Sequence, residues 1–328
     1  SPIARFQVDT GLVGCGWFSF PEGDDQCACA DLRIHTDCDS IPPPLRVCCF
    51  DIECLSGDGS FPKATRDPVI CISAIMNDTA TTLFTSRTCD AIEGVDVREF
   101  SCERDMLSAW ANFIREEDPD IITGWNIDGF DLPYLFLRAH VLHLGTAFSY
   151  QGKLGHRPYV HTCDEKEGSK KSYIEGRVIM DAYPLVKKRG PKFRCYKLDA
   201  VAQGLGLGKK DDVSYAQIPA LWNSNATTRA TLAKYCCQDS QLVCAILENL
   251  KLIVNAVELA RVSGVTLNEV AYRSESCMSE RMILRKATKR DMIIPTFTKR
   301  VEVGKYARGV VNEFVEKSVN PAIIKRLG

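Results

Sequence analysis

The chain has 328 residues, enough for a full-sized core and, from length alone, about two domains. Hydrophobic residues make up 45% and charged residues 25%, ordinary for a globular chain, and no apolar run approaches the ~20 residues needed to cross a bilayer, so no membrane role is expected. A formal net charge of -1 argues against a uniformly basic nucleic-acid-coating protein and leaves room for local basic patches.

The opening SPIARFQVDTG has neither a basic start nor an apolar core of signal-peptide type, and Ser1 in place of Met leads us to expect an excised or processed piece. Of the 16 cysteines, Cys48, Cys49, Cys71, Cys236, Cys237 and Cys244 fall in apolar, periodic segments, where free cysteine behaves as a small hydrophobe. An intracellular, reduced compartment is expected. No CxxC occurs, and Cys27, Cys29 and Cys38 miss the usual zinc spacing. Pro42-Pro43-Pro44 is a stiff spacer and marks a boundary. From Leu45 the pattern predicts an antiparallel meander of RVCCFDIEC, VICISAIMN and a strand near TTLFTS, separated by turn residues. SCERDMLSAWANFIREE follows as an amphipathic helix with Met106, Leu107, Trp110, Phe113 and Ile114 at helical spacing, stopped by Pro119. IITGW predicts a short strand, and LPYLFLRAHVLHL a helix starting just after Asp131, with Pro133 in its first turn. Residues 145–176 lack periodicity and read as a long excursion, a mobile hairpin. RVIMDAY reads as a strand, and helices are expected over roughly 196–206, 227–261 and 268–290.

One stretch breaks the apolar pattern. FDIEC places Asp51 and Glu53 in the middle of a strand, and residues two apart share a face, so like charges crowd unless a cation intervenes. Two further acidic motifs follow: GWNIDGFDLPYL, where Asp131 precedes a helix, and YCCQD, where Tyr235 and Asp239 stand four apart on one helix face. Convergent carboxylates with no thiol or imidazole partner suit hard cations such as Mg²⁺ or Mn²⁺. Two such ions about 3.5–4 Å apart are the template for in-line phosphoryl displacement. In that arrangement Asp51 bridges the two ions, Glu53 and Asp239 complete one site, Asp131 the other, and Tyr235 orients the attacking water.

These motifs resemble the three exonuclease motifs of B-family DNA polymerases, specifically of the delta type. PLRVCCFDIEC, FPKATRDPVICI, DPDIITGWNIDGFDLPYL, GRVIMDAY, YKLDAVAQGLG, LAKYCCQDSQL and IVNAVELARVSGV fall in the family's order, and VGCGWFSFP at 13–21 resembles a delta segment ahead of the exonuclease. The resemblance implies an α/β, ribonuclease-H-like (DEDDy 3′-5′ exonuclease) fold with a mixed central sheet. It implies a proofreading activity that removes mispaired nucleotides from a primer 3′ end. It divides the chain into part of the polymerase N-terminal domain (1–44), the exonuclease domain (45–261) and a helical connection toward a palm (262–328), with the tail 301–328 unassigned. The palm and fingers strings SLYPS and YGDTDS do not occur, so this chain is expected to cut DNA and not to copy it. The implied partners are DNA, the palm, fingers and thumb of a parent polymerase, and accessory subunits, in the nucleus or in a host cell if the source is viral.

Each residue also has a plainer reading. Asp131 alone is an N-cap, Tyr235 alone a half-buried aromatic, and Asp181 in RVIMDAY is read as structural because the family motifs give it no metal. His35, His140, His143, His156 and His161 show no spacing that suggests a triad. KKRGPKFRCYK, residues 187–197, carries six Lys or Arg with Phe193 and Tyr196 interleaved. It suits a single-stranded DNA path through Lys192 and Arg194, and equally a solvated loop. Phe61, Asn126 and Phe130 flank the acids and are candidates for gripping a frayed 3′ end; for Phe61 the alternative is a packed turn residue. The rival functions are a non-catalytic nucleic-acid-binding module and a free-standing exonuclease acting in repair or on RNA.

Overall fold

A computed structural model of the chain describes residues 2–21, 31–35, 43–57, 60–77, 79–155, 157–164, 169–208, 215–292 and 294. Cys27, Cys29, Cys38, Pro42, His156 and the tail 301–328 lie outside the described residues. The chain divides into two compact units, one from 1–40, 260–266 and 273–328 and the other from 41–259 and 267–272.

The first unit holds α1 (Pro2–Thr10) and the short antiparallel strands β1 (Phe18–Ser19) and β2 (Arg33–Ile34). Its later segments return to these: buried Arg281 donates to Gln7 Oε1 at 3.2 Å, and Arg261 Nε to the Cys15 carbonyl at 3.4 Å.

The second unit is built on β3 (Val47–Cys54), β4 (Val69–Met76), β5 (Thr81–Thr85) and β6 (Val95–Glu99). The first three form the expected antiparallel meander; β6, which the sequence reading did not predict, adds parallel to β5. α2 (Glu103–Glu117) then leads to β7 (Ile121–Gly124), parallel to β3, and α3 (Asp131–Val141) to the short α4 (Gly145–Ser149). The 145–176 excursion contains β8 (Val160–Asp164) paired antiparallel with β9 (Ser169–Tyr173), and β10 (Val178–Asp181) closes the sheet beside β7. The order is β10-β7-β3-β4-β5-β6, a mixed α/β sheet. The remaining helices are α5 (Ala182–Arg189), α6 (Leu198–Gly204), α7 (Ile218–Asn223), α8 (Ala226–Asn249), α9 (Leu252–Ser263), α10 (Leu267–Tyr272) and α11 (Glu275–Thr288). The single helices expected at 227–261 and 268–290 are each split. Lys251 takes a left-handed conformation (φ +50°) between α8 and α9, and Arg273-Ser274 separates α10 from α11.

Alternation along β3 decides where the acids go. Phe50, Ile52 and Cys54 enter a core with Trp110, Phe113, Leu132, Leu135 and Phe148, under α2 and α3. The opposite face receives α8: the Cys49 thiol donates to the Ser240 carbonyl at 3.5 Å, and Ser73 on β4 donates to the Cys236 carbonyl at 3.0 Å. Cys48, Cys49, Cys71, Cys236 and Cys237 are buried free thiols, as their apolar setting predicts. α3 is tied to α2 by a buried fork, Arg138 Nε to Glu103 Oε1 at 2.9 Å, while Glu103 also accepts the Val69 amide at 2.7 Å. Among the described residues, no helix is long and apolar enough to cross a membrane.

At the end of β7 the sheet tolerates only glycine. A Cβ on Gly124 would come within 2.5 Å of both the Phe50 carbonyl oxygen and Ile127 Cγ2. Gly124→Ala is therefore expected to cost about 1–3 kcal/mol, as overpacking does in a close-packed core. Thermal unfolding followed by circular dichroism checks this, and an unchanged midpoint would show that β3 and β7 spread freely.

Candidate active site

Three carboxylates meet between β3 and α8. Asp51, Glu53 and Asp239 each offer an oxygen, and these oxygens lie within 4.8 Å of one another. The strand supplies two because residues 51 and 53 share its α8-facing side, and the helix supplies the third one turn beyond half-buried Tyr235. The Cys236 thiol lies 3.7 Å from Asp51 Oδ2, closing the apolar side of the cluster. Burial, then the charges of Asp51 and Glu53, push that thiol well above its ordinary range, so it stays a neutral donor.

Asp131 is not in this three-residue group. Its carboxylate nonetheless lies against the strand, since the Ile52 amide, between Asp51 and Glu53, donates to it. Burial pushes its pKa up to about 8; its own amide and that of Ile52 oppose the rise, and the charges of Asp181 and Asp239 add to it. The sequence reading placed Asp131 ahead of the helix as a possible cap. Instead it is the first helical residue and Phe130 the cap position, because the Leu132 and Tyr134 amides already reach the carbonyls of Ile127 and Phe130 at 3.0 Å.

Phe61 is 69% exposed and packs edge-on against Phe130, ring centres 5.3 Å apart, and Phe130 continues to Tyr134 at 5.1 Å. Tyr134 donates to the Asp67 carbonyl at 2.8 Å and Arg138 to the Ala64 carbonyl at 3.1 Å, so α3 braces the segment that presents Phe61. Asn126 is exposed and left-handed (φ +63°), its side chain filling the space a Cβ on Gly129 would need. Lys192 and Arg194 are exposed on the segment between α5 and α6.

Two acids matter more than their sequence context suggested. Asp181 accepts the amides of Asn126 (2.9 Å), Asp128 (3.1 Å) and Tyr183 (3.0 Å), so it caps α5 and clasps the turn leading to Asp131. Burial, then the charge of Asp128, push Asp181 up to about 7. Asp128 is buried and accepts the Tyr272 hydroxyl at 2.8 Å. The IDGFD spacing of two acids in one turn was a legible signal for Asp128; nothing in the sequence pointed to Tyr272.

Clustered acids with hard oxygen donors, with the buried Asp131 carboxyl close by, fit divalent cations in preference to any organic cofactor. A mixed sheet flanked by helices, with such a cluster beside one of them, places the chain in the α/β, ribonuclease-H-like class of folds. The family described as "DNA polymerase family B, exonuclease domain" matches residues 1–201, and the chain belongs to that family. The delta catalytic subunit of Bos taurus is 36% identical over 320 residues, covering 89% of this chain and 29% of that protein. That of Arabidopsis thaliana is 34% identical over 350 residues, covering 97% and 32%. The chain thus spans about a third or less of the length of these relatives. The structure of the family B DNA polymerase from the hyperthermophilic archaeon Pyrobaculum calidifontis superposes with a TM-score of 0.70 at 27% identity, over 92% of this chain and 37% of that one. The family match ends at residue 201, so Asp239 lies beyond it and rests on the carboxylate cluster, and Tyr235 on its place one turn earlier in α8.

Proposed function

We propose that the chain is the proofreading part of a delta-type replicative polymerase, hydrolysing the terminal phosphodiester at the 3′ end of single-stranded or frayed DNA and releasing nucleoside monophosphates. The observation that carries this is the meeting of Asp51, Glu53 and Asp239 within 4.8 Å, with buried Asp131 against the same strand. Asp51, Glu53, Asp131 and Asp239 would hold two divalent ions, Mg²⁺ or Mn²⁺, which when bound supply charge stabilisation at both the attacking and the leaving oxygen. Tyr235 would orient the attacking water by hydrogen bonding. Phe61 and Phe130 offer an aromatic edge on which the terminal base stacks, Asn126 contacts the terminal nucleotide, and Lys192 and Arg194 meet the phosphates upstream. The thiol of Cys236 and the packed small side chains beneath keep bulk water from the buried side of Asp51. The rest of the parent polymerase, its accessory subunits and the nucleus are the setting we infer from the delta relatives.

Incubation of the chain with 3′-labelled single-stranded DNA and RNA oligonucleotides in Mg²⁺ or Mn²⁺ tests this. The expected result is stepwise release of mononucleotides from DNA, abolished by a chelator. RNA degraded as fast as DNA would favour a free-standing enzyme, and no cleavage in either metal would sink the nuclease reading. Binding to the folded state alone also predicts a thermal shift, about 2.7 kcal/mol at a hundredfold excess over Kd. Calorimetry with and without Mn²⁺ reads it.

A further inference from the structure

A second buried polar network lies beside the acids and is not used by the chemistry above. Asp128, 4% exposed, accepts the Ser172 amide at Oδ1 (2.8 Å) and the Tyr272 hydroxyl at Oδ2 (2.8 Å). Ser172 sits in β9, and its hydroxyl is 3.0 Å from the Tyr159 hydroxyl and 3.2 Å from His161 Nδ1. From the same hairpin, Lys170 Nζ donates to the Gly129 carbonyl at 3.1 Å, and Lys171 Nζ stands 5.9 Å from the centre of the Tyr272 ring. Three separate stretches are joined by one carboxylate: the turn 125–130, the β8–β9 hairpin and the last residue of α10.

We propose that Asp128 and Tyr272 are positioning residues, a latch that fixes the turn carrying Asn126 and Phe130 against the β8–β9 hairpin and so shapes the rim that receives the DNA 3′ end. This rests on the exonuclease reading above. The turn has two carboxylate clasps, Asp181 beneath its amides and the latch at its side chains; of the two only the latch reaches the hairpin, and it is the buried tie there beside the exposed Lys170–Gly129 bond. Asp131 has anchors of its own, the Ile52 amide and the first turn of α3, so releasing the latch leaves the metal-binding acid in place and loosens the rim. Its loss therefore weakens substrate binding more than the chemical step. A buried carboxylate satisfied by an amide and a phenol is also intolerant of losing either partner, because the charge then stays in low dielectric with a donor missing.

Steady-state kinetics on a single-stranded DNA oligonucleotide with the full 328-residue chain tests the latch. Asp128→Ala and Tyr272→Phe should each raise KM about fivefold to tenfold with kcat within about twofold, the size of one net hydrogen bond. Asp128→Asn should restore KM, since its amide oxygen accepts from Ser172 while its NH₂ donates to the Tyr272 oxygen. The Asp128→Ala, Tyr272→Phe double variant should be no worse than Asp128→Ala alone, the non-additivity of a shared contact. Unchanged KM in an active Tyr272→Phe enzyme, which loses a single oxygen, would overturn the latch even if Asp128→Ala fails to fold. Loss confined to kcat would overturn it too. A wild-type chain without nuclease activity would instead remove the exonuclease reading, and the latch's function with it.

Discussion

Replacing Asp51 with alanine is expected to lower the rate of nucleotide release by about 10³-fold or more, since the several kcal/mol that bound metals contribute to transition-state charge convert to that factor. Asp51 belongs to the cluster whose oxygens lie within 4.8 Å of one another and is the member expected to bridge both ions. Its removal should therefore undo both metal positions, whereas Asp131→Asn disturbs one. The folded chain itself should survive. Asp51 stands among like charges, so its loss relieves repulsion in the metal-free state, and Phe50 and Ile52 on the opposite face still anchor the strand. Single-turnover cleavage of a 3′-labelled oligonucleotide measures the first effect, and the unfolding midpoint without and with Mn²⁺ the second. Cleavage near the wild-type rate, or a metal-induced rise in midpoint as large as in the wild type, would overturn the assignment.

Arg138→Met is expected to destabilise the second unit by about 3–5 kcal/mol, the cost of stranding one member of a buried ion pair. The side chains of Arg138 and Glu103 are only 7% and 10% exposed, so water cannot replace the lost partner. The guanidinium also donates to the Ala64 carbonyl at 3.1 Å, and Glu103 accepts the Val69 amide at 2.7 Å, so one substitution loosens α3, α2 and the entry to β4. The double variant Arg138→Met, Glu103→Leu should recover much of the loss, because two apolar groups of similar volume leave no buried charge. Urea denaturation of the single and double variants measures both, and equal midpoints for Arg138→Met and the wild type would show that the pair is solvated.

The acids were legible because they violate the pattern around them: two carboxylates inside a run of cysteine, valine and isoleucine have no place in a core without a cation. The meander was equally plain from its apolar runs and turn residues. β6 was not, since Val95–Glu99 alternates between half-buried and exposed at the sheet edge and so resembles a charged loop. The break after α8 escaped because left-handed Lys251 is not a glycine, and nothing local marks it. Tyr272 was invisible for a different reason. Its partner Asp128 lies 144 positions away, and a buried hydroxyl that completes a distant carboxylate leaves no periodicity or spacing to read.

The close seating of α8 on the sheet has a further consequence. Where the helix meets β3 and β4, the contacts are Cys49, Ser73, Cys236 and Ser240, with the Ser73 and Ser240 hydroxyls 2.5 Å apart. These side chains act as shims: their thickness sets how far Asp239 stands from Asp51 and Glu53, and hence which ionic radius the proposed metal site would accept. If the acids hold metal as proposed, cation selectivity would rest on residues that never touch the cation, and a single added methylene there would retune it without altering any acid.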